Sequence, residues 1–385
     1  MNYWPAESAM RWWRRFDPDA VSRDFGRIAA AGFDSVRIFL LWEDFQPRPD
    51  TVSDDALALL RQTADTALRY GLGLLPTLFT GHMSGANWLP AWAVAAEPAR
   101  ERPRFRVVTR DRARIACARS WYDDEEVVAA QELLASRAAR TLRGHAALWM
   151  WDLGNENSNV CLPATQASGR AWLVRMSAAL REGDPDCRIT LGMHMEDLEE
   201  DRRISPADAA EVCDVLSMHG YPLYAPWSGD PMSPRLLPFL AQLTRALGGK
   251  AVLFEEFGIP TVGTDTAGAG AHRLFTEREA ATFIGGALDA LHEAGTTGAM
   301  LWCFSDYARA IWSEPPLDEA AHERFFGMWR ADGSPKTGVA EIMARAGREA
   351  LADRVADEVV LDGARYYENP SFNLRQRLWR SVGGV

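Results

Sequence analysis

The sequence predicts an α/β fold, a (β/α)8 TIM barrel, and three observations carry the prediction. Apolar runs of strand length alternate with amphipathic helical segments eight times along the chain. Several of those helical segments open on a capping residue and stop at a glycine. The length, 385 residues with 47% hydrophobic and 25% charged, suits one large barrel. Strict alternation demands parallel strands and right-handed crossovers, and eight such units close most economically into a barrel. A doubly wound open sheet would alternate in the same way, but no GxGxxG or phosphate loop follows the first strand.

"MNYW" opens the chain as a first strand. Asp17-Pro18 then starts a helix as cap and first-turn proline, with Val21, Phe25 and Ile28 as its buried stripe and Gly32 as its stop. The strand "DSVRIFL" (34–40) follows. Ser53 opens a helix with Leu57, Leu60, Ala64 and Leu68 on one face; Gly71 ends it, and "LGLLPTLF" (72–79) is the third strand. The segment 80–121 is long, rich in Pro, Arg and Trp and poorly periodic, and reads as a functional loop. In the helix 123–144 the acids lie first and the arginines last, which suits the helix dipole. The apolar run Ala146–Leu153 ends as a fourth strand in Asn155 and Glu156. Helix and strand then alternate through 163–182 and 187–193, 205–212 and 214–221, 234–247 and 250–258. A capping box of Thr276 and Glu279 opens the helix 276–293, before a strand at 297–304 and a last helix at 337–352. The tail 361–380 is too short for a domain and is expected to pack on the barrel, because its aromatics would be costly to expose.

Composition narrows the function. A formal net charge of −11 argues against a nucleic-acid partner. The basic clusters at Arg11, Arg14 and Arg15 and from Arg100 to Arg119 are interleaved with acids and read as solvated surface. No apolar run reaches the length of a membrane span, so no membrane partner is expected. The five cysteines lack CxxC spacing, which suggests neither a zinc site nor a disulfide framework. The start "MNYWPAESAM" has no secretory n-region or h-region, so a cytoplasmic location is the expectation, with a trimmed secreted form as the alternative. Composition leaves the oligomeric state open.

In a barrel, reactive groups sit where strands end, on the face built by the βα loops. Strand two carries Arg37 and leads to Trp42 and Glu43, and strand three leads to His82. Strand four delivers Asn155 and Glu156, strand five leads to His194 and Glu196, and strand six to His219 and Tyr221. Strand seven ends in Glu255 and Glu256, and strand eight carries Trp302 and leads to Asp306. Carboxylates on strands four and seven would face each other across the mouth. Double-displacement glycoside hydrolysis requires that arrangement, with carboxyl groups about 5–5.5 Å apart. An arginine beside the nucleophile would keep it ionised, and a drier setting would hold the acid protonated; Arg37 is the natural cation. Period-two alternation turns Glu255 away from the lumen, toward an outer salt bridge. The 15 tryptophans are numerous, and Trp42, Trp88 and Trp227 could touch sugar or simply fill the core. Spacing gives no support to a metal site from His82, His194 and His219.

Asn155-Glu156 after the fourth strand, "HGY" after the sixth and "EEFG" at the seventh resemble glycoside hydrolase family 5, of the retaining clan A. The resemblance covers residues 2 to about 345 and implies a catalytic (β/α)8 domain over 1–350 with an extension over 351–385. It implies Glu156 as acid/base and Glu256, the glutamate directly before Phe-Gly, as nucleophile. It also implies substrate contacts from Arg37, Asn155, His219, Tyr221 and Trp302, and no cofactor and no metal; Trp42 and His82, after strands two and three, are further candidates from their positions alone. "VRIFLLWEDFQP" (36–47) and "FTGHMSGANWLPAW" (79–92) look most like bacterial β-mannosidase and β-mannanase-type members. The expected partner is an oligosaccharide or glycoside, and the expected activity is exo-acting hydrolysis of β-mannosides or short β-manno-oligosaccharides. A β-glucoside, β-galactoside or β-glucan substrate, endo action, and a catalytically silent carbohydrate-binding barrel are the alternatives.

Overall fold

The computed structural model describes residues 1–96, 103–110, 112–262, 272–349, 351 and 361–381. Its strands in chain order are β1 Ser35–Phe39, β2 Gly73–Thr77, β3 His82–Met83, β4 Ala86–Trp88, β5 Arg106–Thr109, β6 Arg112–Arg114, β7 Trp151–Asn155, β8 Ile189–Gly192, β9 Leu216–His219, β10 Val252–Phe257 and β11 Gly298–Leu301. Parallel pairing runs β1-β2-β7-β8 and β9-β10-β11. His194 bridges His219 to join the two sheets. Residues 1–4 close the ring: Asn2 bridges Arg37 on one side and donates its backbone N–H to Leu301 at 3.0 Å on the other. The fold is a (β/α)8 barrel.

Each barrel strand is followed by a helix: Pro18–Ala30, Asp54–Arg69, Glu125–Leu142, Gln166–Gly183, Pro206–Ala210, Leu236–Gly248, Glu277–Glu293 and Gly338–Met343. The caps act as the sequence expects. Asp17 accepts from the N–H groups of Asp19 and Ala20, Ser53 accepts from Ala56, and Thr276 with Glu279 forms a capping box. Leu75, Met150, Val215, Leu253 and Met300 form an apolar cluster separate from the main core. They stand on or at the start of β2, β7, β9, β10 and β11, around both sheets of the ring, so they meet inside the barrel and plug it below the ionic groups described next.

Five expectations change. Leu68 is 48% exposed, because its helix buries a narrower face ending at Ala64 and Ala67. The segment 80–121 holds a small sheet, β3-β4-β5-β6, whose strands are too short to show periodicity. The last barrel helix is only Gly338–Met343. Arg11 is buried and paired with Glu314 at 3.2 Å, so that basic cluster is not all solvated surface. In the tail, Tyr366 and Tyr367 dock their hydroxyls on the carbonyls of Leu198 and Asp197, at 2.7 and 2.8 Å, yet Phe372 and Trp379 are more than half exposed. Among the described residues no helix is long and apolar enough to cross a membrane.

Candidate active site

β7 carries the residues that the strand was expected to deliver. Asn155 is its last residue, held by a backbone bond to Phe79 at 3.0 Å, and Glu156 is tied to Gly192 at 2.9 Å. Gly154 is required: a Cβ there would fall 2.5 Å from Asn157 Oδ1. Glu156 then turns into the left-handed region at φ 48°, ψ 46°, which costs an ordinary residue about 1–3 kcal/mol and swings its carboxyl over the barrel mouth.

Glu256 arrives from the opposite side on β10. Arg37 Nη1 donates to Glu256 Oε1 at 2.6 Å, and Tyr221 donates its hydroxyl to Oε2 at 2.9 Å. Arg37 is fully buried and also donates to Asp152 at 2.6 Å, Asn155 at 2.9 Å and Thr77 at 2.9 Å. Glu255 does not point outward. The pairing of β10 with β9 steps from Phe254↔Met218 to Glu256↔His219, so two residues of β10 answer one of β9. That bulge breaks the alternation and brings both glutamates inside. Glu255 lies beneath, fully buried, with Oε1 at 3.2 Å from Arg37 Nε and Oε2 at 3.3 Å from His219 Nε2.

His219 links the two sides. Its Nδ1 lies 3.1 Å from Glu156 Oε1 and 3.7 Å from Glu256 Oε2. One oxygen of Glu156, one of Glu256 and one His219 nitrogen all fall within 4.8 Å of one another. An oxygen–oxygen approach this short fits a retaining pair, whose carboxyl groups stand about 5–5.5 Å apart. The same three residues have metal-ligand spacing, but both oxygens of Glu256 already accept from Arg37 and Tyr221, which makes it a poor ligand.

The sequence expectation is an ionised Glu256 and a protonated Glu156, and the surroundings push each carboxyl in the other direction. Burial pushes Glu156 up, but His194, the hydrogen bond from His219 and the charges of His219 and His82 outweigh it and hold it below the usual carboxyl range. Burial raises Glu256 and prevails over His219 and Arg37, with the Glu156 charge adding to the rise. Burial alone would lower His219; the Glu256 charge and the bonds to Glu156 and Glu255 outweigh it and lift it to about 10. His219, one hydrogen bond from Glu156, is the group whose surroundings favour the protonated form.

Above the pair opens a cavity of about 510 Å³, lined by His82, Asn155, Glu156, His219, Tyr221, Glu256 and Trp302 among others. Seven of the nine residues singled out from the sequence thus line one space, and Arg37 braces it from below. Trp42 is not there. It is fully buried, donates to Gln46 at 2.8 Å and packs edge-on against Phe79, Trp92 and Trp121. Trp88 is likewise core, bonded to the Met83 carbonyl at 3.3 Å, and Trp227 donates to Glu199 at 3.0 Å outside the cavity. Asp306 is occupied by Lys336 at 2.6 Å.

No family model and no curated protein matches the chain. Solved structures do. The exo-beta-1,4-mannosidase Op5Man5 from Opitutaceae bacterium strain TAV5 is 28% identical, with a TM-score of 0.73 over 91% of this chain and 59% of that one. This chain thus spans less than two thirds of Op5Man5. A GH5_18 enzyme from Streptomyces cattleya, in complex with GlcNAc, is 22% identical with a TM-score of 0.80, covering 100% of this chain and 91% of that one. A variant of that enzyme in complex with Manb1-4GlcNAc is 22% identical with a TM-score of 0.78 over the same shares, 100% and 91%. The chain is a structural relative of glycoside hydrolase family 5.

Against that family 5 frame, the residues missed from the sequence are the cavity walls. Glu323 accepts from Ser84 at 3.0 Å, Trp302 Nε1 at 3.2 Å and Tyr224 at 3.1 Å, and burial raises its carboxyl. Tyr224 also bonds His322 at 2.8 Å, and Arg104 clasps Glu196 at 2.6 and 2.7 Å on the rim. His194 and Glu196, noted from the strand-five end, do line the cavity. Ser84 lies in a turn and Tyr224 and Glu323 on 3-10 helices of three and five residues, too short for periodicity to mark a direction. For Glu323 alone, the apolar residues around the acid in "AAHERFF" (320–326) are a signal that could have found it.

Proposed function

We propose that the chain is a retaining β-glycoside hydrolase acting from one end on β-mannosides or short β-manno-oligosaccharides. The single observation that carries this is Glu156 and Glu256 facing each other within 4.8 Å, with Glu256 gripped by Arg37 and Tyr221. Arg37 and Tyr221 fix the orientation of the Glu256 carboxylate for attack on the anomeric carbon, and neutralisation on attack relieves the crowding of negative charge around it. Glu156 passes a proton to the leaving oxygen, then takes one from the water that cleaves the glycosyl-enzyme. Asn155 spends its oxygen on Arg37 and one amide hydrogen on the His82 carbonyl. Its second amide hydrogen remains for a sugar hydroxyl.

The names of the structural relatives favour mannose: one is an exo-beta-1,4-mannosidase, and another was held with Manb1-4GlcNAc. Exo action rests on the wall that Glu323 builds by tying Ser84, Trp302 and Tyr224 together, which closes the cavity beside Trp302. A panel of 4-nitrophenyl β-mannoside, β-glucoside and β-galactoside tests the reading. The mannoside should be hydrolysed fastest. No turnover on any of the three would overturn it, and a faster glucoside would reassign the sugar.

A further inference from the structure

Glu255 is a buried carboxylate that the hydrolytic scheme leaves unused. Arg37 does not need it, because Asp152 and Glu256 already take its two strongest bonds at 2.6 Å each. Arg37 Nε donates instead to Thr77 at 2.9 Å, and Glu255 Oε1 accepts no hydrogen bond. Among the described residues, the one side-chain nitrogen at hydrogen-bond distance from Oε2 is His219 Nε2, at 3.3 Å. The other imidazole nitrogen faces Glu156 at 3.1 Å. Carboxylate, imidazole and carboxylate therefore stand in series.

A neutral imidazole has one donor and one acceptor nitrogen. Glu255 is fully buried beside Arg37, is held below the usual carboxyl range by Arg37 and His219 against burial, and can only accept. Glu156 also accepts at Nδ1, but it lines the cavity while Glu255 is sealed beneath it, so the hydrogen on Nε2 stays and only the one on Nδ1 exchanges with the reaction. We propose that Glu255 is a positioning residue: it fixes the Nε2–H tautomer of His219, so that His219 Nδ1 and Glu156 hold one exchangeable proton as a single acid/base couple. In glycosylation that proton leaves with the aglycone oxygen, giving the Glu156 carboxylate and a neutral His219 that still carries its Nε2 hydrogen. In deglycosylation the water oxygen bonds to the anomeric carbon, the bond to Glu256 breaks, and the water proton returns to the couple.

Among the described residues, the other charged or titratable groups facing the couple are Arg37 from β1, Glu256 and Tyr221 beside it, His82 from β3 and His194 from the loop after β8, with Arg104, Tyr224 and Glu323 on the cavity side of Glu156. His194 is engaged with Ser158 at 2.9 Å. Among the described residues Glu255 is the group hydrogen bonded to Nε2. The rise of His219 to about 10 agrees with this arrangement.

The consequence for rate rests on the hydrolase reading, so the test has two arms. Glu255→Gln should move the basic limb of kcat/KM at least one unit toward lower pH. It should cost about 10-fold or more on 4-nitrophenyl β-mannoside, and clearly less on the 2,4-dinitrophenyl analogue, whose leaving group needs no acid. Equal losses on both substrates with an unmoved limb would overturn the proposal. The second arm uses wild-type protein without substrate, with histidine labelled by nitrogen-15 and followed by NMR across pH. Nε2 of His219 should stay protonated throughout while Nδ1 titrates; a neutral Nδ1–H tautomer would overturn the proposal even if Glu255→Gln fails to fold. A wild type inactive on every glycoside would count against the hydrolase reading alone, because the tautomer is read without turnover.

Discussion

Arg37 reaches across the barrel lumen to Glu256 and binds it at 2.6 Å, although the two residues are 219 positions apart in the chain. Its planar fork serves Glu256, Asp152 and Asn155 at once. A lysine carries the charge but cannot make those bonds together. Arg37→Lys should therefore lower kcat/KM on an aryl β-mannoside by about 100-fold, equivalent to about 2.7 kcal/mol in the barrier. Unchanged turnover would make Arg37 a structural residue only.

The roles of Glu156 and Glu256 separate with azide. Glu156→Ala should retain most activity on 2,4-dinitrophenyl β-mannoside and be accelerated by azide, with β-glycosyl azide as product. Glu256→Ala should be inactive on every unassisted substrate. NMR of the product's anomeric configuration decides the matter: an α-azide from the Glu156 variant would show that the two roles are exchanged.

Trp42 offers a contrast between packing and binding. It is enclosed by Phe79, Trp92 and Trp121, away from the cavity. Trp42→Ala should cost about 3–5 kcal/mol of stability, seen as a lowered Tm or urea midpoint. In the fraction that remains folded, KM should be unchanged. A raised KM with wild-type stability would put Trp42 back among the substrate contacts.

His219 should leave a mark on stability as pH changes. Its value rises from 6.5 to about 10 on folding, so its contribution is fully present below pH 6.5 and is lost as pH climbs through about 10. The gap in urea midpoint between wild type and His219→Gln should accordingly narrow between pH 7 and pH 10. A gap that stays constant over that window would mean that His219 is not cationic in the folded protein.

Much of this protein could be read without coordinates. Strand–helix alternation, the Asp17, Ser53 and Thr276 caps, and the positions of Asn155-Glu156, His219 and Glu256 at strand ends are local properties. Each depends on a few neighbouring residues, and the barrel follows because eight such units have few other ways to bury both faces of a parallel sheet. Two things were not local. The direction of Glu255 depended on a bulge that appears only when β10 pairs with β9. Burial of Trp42 depended on a cage of rings drawn from β2 onward to Trp121.

The sequence by itself determined the barrel, the two glutamates at its mouth and the arginine beside Glu256, because strand order and strand ends are written in short patterns. Tertiary structure alone decided which groups of the site are pushed toward holding a proton. That depends on the summed charge of Arg37, His82, His194, His219 and four buried or half-buried carboxylates converging from six strands or strand ends. Electrostatic energy in a dry lumen is a property of distances through space, and no spacing along a chain encodes it.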